Sequence, residues 1–188
     1  MASLNDRLYE KWVRIWSKVV TLFYHIKYWK EIGAAKAAME VSRQNLFRVA
    51  DEYRPFTPHP ENVAVSQFLR KFKYTSDAPF VDWWINEGDE LVYWLRGQRD
   101  DCDGAAAMAK WAWKQFGVES DIRILRGESN MDARHAICVR RDMAVFTTNG
   151  FLVNVERFAE MYGLKNAIIG YFGAEFTQIT DEKGEQVL

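Results

Sequence analysis

The sequence predicts an α+β protein, and three observations predict it. Helical periodicity dominates the first third of the chain. An Ala-rich helix opens on a cysteine near the middle. Short alternating apolar segments separated by turns follow it. Helices, then one central helix, then antiparallel strands is not the order of repeated βαβ units.

Residues 4–52 read as helix. Leu8, Trp12, Ile15, Val19, Leu22, Ile26 and Trp29 recur at alternating steps of 4 and 3. That is an apolar seam of helical period, sustained for about three heptads. Val13, Trp16, Val20 and Phe23 widen it beyond a coiled-coil stripe. Gly33 interrupts the pattern, and 34–53 follows as a second, Ala-rich helix. The seam has three readings, in descending order. It packs on its own domain; it self-associates or docks a protein partner through residues 8–29; or, least favoured, it lies on a membrane surface flanked by its lysines and arginines.

Residues 54–61 (RPFTPHPE) hold three of the four prolines. Each proline fixes φ and stops regular pairing, so the stretch reads as a linker. The expected organisation is a helical extension at 1–53, a linker at 54–61 and a main α+β domain at 62–188. Within that domain 62–73 and 81–95 read as helices and 96–101 as a polar loop. A helix over 102–116 stops at Gly117. Residues 122–125, 135–139 and 144–148 read as strands, with a turn at Arg141 and Asp142. A short helix at 155–162 and strands at 167–171 and 176–180 follow, with a turn at 181–184.

Composition narrows the function. The 25 basic and 26 acidic side chains leave a net charge of −1, which excludes a strongly basic nucleic-acid binder. The balance is uneven: residues 1–50 carry nine basic and four acidic side chains, a net of +5. Two cysteines make no disulfide framework. Three histidines and no paired-cysteine spacing predict no metal site. Neither a phosphate-binding glycine loop nor a dinucleotide fingerprint is present, so no cofactor is expected. With no signal peptide or spanning segment, the expected location is cytoplasmic, or the virion for a phage-encoded chain.

The chemistry concentrates at Cys102. It heads a helix whose Ala106, Ala109, Trp113 and Phe116 share its face. Unbonded N–H groups and the positive end of the helix dipole favour a thiolate there. The same groups can donate to an oxyanion. A nucleophile needs a base, and the base needs an orienter. His135, the one histidine downstream, lies in the strand HAICV with Ile137 and Val139 as face-mates. A three-residue loop at 141–143 would set Asn149 opposite His135, where its amide oxygen orients the ring. Asn149-Gly150 is also an ordinary turn pair. Cys138 alternates away from His135 and reads as core.

Taken together, Asp101-Cys102-Asp103, Arg134-His135-Ala136 and Thr148-Asn149-Gly150 resemble the transglutaminase-like superfamily of cysteine hydrolases and peptidases. Upstream, Tyr74-Thr75-Ser76-Asp77 and Asp82-Trp83-Trp84 add to the likeness, which covers roughly residues 62–155. Asp100 stands where the family commonly has glycine, and Asn149 where it more often has aspartate. The resemblance implies a papain-like core, with the cysteine helix packed on an antiparallel sheet. It implies Cys102 as nucleophile, His135 as general base and Asn149 as orienter. It also implies a protein or peptide amide substrate and an upstream oxyanion donor, for which Gln98 and Trp94 are candidates. Peptidase, amidase, deamidase and cross-linking outcomes all pass through one thioester. The alternative is a catalytically silent scaffold of the same fold, assembling through its aromatic N-terminal helix, as in a phage particle.

Overall fold

The computed structural model describes residues 4–75, 90–97, 99–127, 134–173 and 175–181. Helices α1 (Leu4–Lys27), α2 (Ile32–Tyr53) and α3 (Pro60–Leu69) come first. Strand β1 (Lys73–Tyr74) pairs in parallel with β2 (Arg99–Asp100), and α4 (Leu91–Leu95) lies between them in sequence. The central helix α5 (Cys102–Gln115) leads into β3 (Asp121–Arg126) and β4 (Arg134–Arg140). A single 3-10 turn (Arg141–Met143) then leads to β5 (Val145–Thr148) and β6 (Phe151–Asn154). Helices α6 (Glu156–Tyr162) and α7 (Leu164–Phe172) and strand β7 (Gln178–Thr180) close the chain. The main sheet is antiparallel, in the order β6-β5-β4-β3-β7.

Strand alternation divides the core between the two faces of this sheet. Ile122, Ile124, Ala136, Cys138 and Val145 face α5, with α2, α3 and α4 packed behind it. Leu125, Ile137, Val139 and Phe146 face the other way, onto Ala167 and Ile168 of α7 and onto Phe176 and Ile179. Small side chains on α5, Ala105, Ala106, Ala109 and Ala112, are all buried. They let the helix approach the strands closely and leave room for Trp113, which is fully buried.

Helix α2 belongs to this core. Leu46, Val49 and Ala50 are buried in one cluster with α3 and α5. The proline-rich segment therefore joins two helices of a shared core, and Pro60 starts the second of them. The helical extension reduces to α1. Its seam residues Leu8, Trp12, Ile15, Val19, Leu22, Ile26 and Trp29 are all exposed, so packing of the seam on its own domain is not what the described residues show.

Four strand readings change. Residues 167–171 lie in α7 and not in a strand. Leu164, Ala167, Ile168 and Phe172 fall at helical steps, and a short apolar run alone does not distinguish the two periods. Strand β6 was not foreseen. Asn149 and Gly150, with φ of 43° and 88°, make the two-residue turn that pairs β6 back onto β5. A Cβ at Gly150 would also meet the Leu69 carbonyl oxygen at 3.0 Å. Lys73, read as the last residue of the helix at 62–73, begins β1, and residues 99–100, read within a polar loop, form β2. The helix at 81–95 is seen over Leu91–Leu95; residues 81–89, and most of the turn at 181–184, lie outside the described residues.

One polar network pins α3 to the β4–β5 connection. Arg140 is buried and pairs with Glu61 and with Asp142, the latter at 2.8 Å. It also donates to Asn62 Oδ1 at 3.0 Å, which accepts Trp113 Nε1–H at 3.1 Å. Arg140→Met is expected to cost about 3 kcal/mol, because it leaves the largely buried Glu61 carboxylate without its guanidinium and removes one of the two donors to Asn62 Oδ1. Denaturant titration of the variant checks this.

Candidate functional site

Strand β2 turns directly into α5 at Asp101. The Asp101 side chain caps the helix by accepting Asp103 N–H at 3.3 Å. Asp100 is fully buried. Its Oδ1 takes an ion pair from Arg96 at 2.8 Å and accepts Asp101 N–H at 3.1 Å. Gly104 makes this approach feasible: a Cβ there would lie 2.7 Å from Asp100 Oδ2 and closer still to its Cβ. Cys102 is thereby fixed as the first residue of α5. Its Sγ accepts the Ala136 N–H of β4 at 3.4 Å.

Asp103 is buried beside Asp101, Asp100 and Cys102. Burial, a hydrogen bond with Asp101 and the neighbouring negative charges push its carboxyl well above the usual range. Its Oδ1 accepts Gly104 N–H at 2.7 Å. Two first-turn N–H groups, those of Asp103 and Gly104, are thus committed to carboxylates. The helix start offers an oxyanion fewer donors than a bare helix terminus would. Oxygens of Asp100, Asp101 and Asp103 lie within 4.8 Å of one another. The cap, the Arg96 pair and the raised Asp103 carboxyl account for that grouping, and we assign it no metal.

The raised Asp103 carboxyl has a consequence for stability. A folded pKa above the unfolded one gives a contribution that is full below about pH 3.9 and declines as pH rises. Asp103→Asn keeps the acceptor and removes the titration. Its denaturation midpoint is expected to match wild type near pH 4 and to exceed it by a margin that grows as pH rises.

His135 enters β4 one residue before Ala136. Its ring packs edge-on to Phe172, with centroids 5.3 Å apart, and lies 6.5 Å from Phe176. Nε2 is 2.7 Å from Thr148 Oγ1. Burial holds the imidazole below its ordinary value, and the Asp101 carboxylate opposes that shift. The ring is therefore neutral at neutral pH.

The register explains why the ring meets Thr148 and not Asn149. Cys138 pairs with Thr147 and Arg140 with Val145, so four residues, 141–144, connect the strands. A three-residue connection would have set Asn149 opposite His135. With four, Thr148 is the diagonal neighbour of His135 on the same face. Asn149 sits exposed in the turn with φ of 43°. The expected Asn149 contact with the ring is corrected to Thr148. The fourth loop residue, Ala144 with φ of 48°, carries no glycine or proline signal that would have revealed it.

The same alternation places Cys102 and His135 on different sides of β4. Helix α5 covers the Ala136 and Cys138 face, while His135 shares the α7 face. The backbone of Ala136 joins the two. Among the described residues the ring's hydrogen-bond partner is Thr148, not the thiol. Cys138 is fully buried, and burial pushes its thiol up to about 12, as befits core. Trp94 packs against Phe68 and Trp111 in the core, and Gln98 lies outside the described residues. A cavity of about 400 Å³ runs along the far flank of α5, lined by residues including Lys110, Lys114 and Ser120, and does not reach Cys102.

In comparisons with family models, curated proteins and solved structures, nothing matches this chain.

Proposed function

We propose that the chain is a thiol-dependent acyl-transfer enzyme acting on amide bonds of peptides or proteins, with a transglutaminase-like site on a papain-like core. The observation that carries this is the convergence at Cys102 Sγ. A helix start supplies the nucleophile, and the strand bearing His135 donates its Ala136 N–H to the same sulfur at 3.4 Å. Both features favour sulfur in its anionic form.

His135, held neutral by burial, is the general base. Catalysis by this base requires the ring to leave Thr148 and reach the thiol as substrate seats; catalytic hydrogen bonds often tighten only in the complex. The base takes the thiol proton and sulfur bonds to the substrate carbonyl carbon. The C–N bond then breaks, and the amine leaves with that proton. Water attacks the thioester, giving up a proton to His135, and releases the acid and the thiol. An amine in place of water gives a cross-link. Thr148 replaces Asn149 as the residue that orients the ring.

Iodoacetamide alkylation followed against pH tests the reading, with Cys138 as internal control. Cys102 is expected to react well below the ordinary thiol range near about 8.5 and to lose that advantage in His135→Ala. Equal reactivity of Cys102 and Cys138, unchanged in His135→Ala, would favour the silent-scaffold alternative.

A further inference from the structure

We propose that α1 is an interfacial anchor that lays its apolar face on an anionic phospholipid bilayer. Helix α1 holds to the body by one edge. Thr21 is buried, Tyr24 is half-buried with Arg96 6.0 Å from its ring centroid, and Tyr28 stacks on Tyr24 at 5.5 Å. These three positions fall on one side of the helix. Trp12, Ile15, Trp16, Val19, Leu22 and Phe23 fall on the opposite side, in an arc about 120° wide at 3.6 residues per turn. All six are exposed. Docking the polar edge and presenting the apolar one is the reverse of what a helix does when its own domain is its apolar partner.

Charge selects the occupant. Lys11 and Lys18 border the arc on one side and Lys27 on the other, all exposed. The helix as a whole carries five Lys and Arg against Asp6 and Glu10. Aromatic and aliphatic side chains between basic flanks, without the apolar length to cross a bilayer, is the pattern of a helix lying in the interface plane. Lysine stems reach sideways to phosphates while tryptophans sit at the headgroup level. A second copy fits less well. In the heptad that the seam defines, one flank carries Lys11 and Lys18 and the other Trp16 and Phe23. Neither offers a carboxylate to a partner's lysine, so no interhelical salt bridge would fix the pairing of two such helices.

The test uses the full chain with sedimented vesicles of phosphatidylcholine alone and of phosphatidylcholine with equimolar phosphatidylglycerol. Light scattering gives the mass in solution. Binding to the anionic vesicles is expected, with a blue-shifted tryptophan emission. It should be at least about tenfold weaker on neutral vesicles and in Leu22→Glu, and should weaken as salt is raised. Leu22 is exposed, so the variant keeps its fold, which circular dichroism verifies. Absence of vesicle binding overturns the proposal, as does binding that Leu22→Glu leaves intact. A dimer that Leu22→Glu dissociates, without vesicle binding, overturns it in favour of self-association.

Discussion

Alanine at Gly104 is expected to destabilise the protein by about 3 kcal/mol, against the usual trend for helices. In an open helix interior, glycine to alanine gains roughly 1 kcal/mol. Here the added methyl would meet the Asp100 side chain, with Cγ at 2.6 Å and Oδ2 at 2.7 Å. Asp100 cannot swing aside cheaply: it is fully buried and holds both Arg96 and the Asp101 N–H. Overpacking of that kind typically costs 1–3 kcal/mol before the ion pair is disturbed. Gly33 is the control. A methyl there meets nothing within 4 Å, so Gly33→Ala should be neutral or slightly stabilising. Urea midpoints of the two variants decide it. A Gly104→Ala protein as stable as wild type would mean that Asp100 does not sit against α5 as described.

The second large effect concerns the thiol. Incubation with p-nitrophenyl acetate should place one acetyl group on Cys102, read by mass spectrometry as a thioester. Cys102→Ala should abolish the adduct, and Cys138→Ala should leave it unchanged, because Cys138 is fully buried. His135→Ala should slow acylation by roughly 10²–10⁴, the usual contribution of a general base. Substitutions at 148 and 149 then separate the two candidate orienters. Thr148→Val removes the hydroxyl 2.7 Å from Nε2 and should cost about tenfold. Asn149→Ala alters an exposed turn residue and should cost less. The reverse order would restore Asn149 to the site.

Local signals located the parts of this molecule. Alanines spaced along 102–116 announced a helix that packs closely on a sheet, and that helix lies on the sheet at Ala136 and Cys138. The alternation in 122–125 and 135–139 marked paired strands, because successive side chains of a strand point to opposite faces. What failed was ambiguous locally. The run at 167–171 is too short and too apolar to distinguish strand from helix, and only its burial against Ile137 and Phe146 made it helix α7.

Which residues meet was decided by the tertiary structure. One additional residue between β4 and β5 exchanged Asn149 for Thr148 at the imidazole. A shift of one residue turns every side chain to the opposite face of a sheet. The side of β4 from which α5 approaches set Cys102 against the Ala136 backbone, with the His135 ring beneath Phe172. The sequence by itself determined that α1 has an apolar face, since periodicity is a property of the chain alone. Whether that face meets its own domain depended on which edge of the helix fits α4 and Arg96. That is a matter of shape between elements, and no spacing within one element carries it.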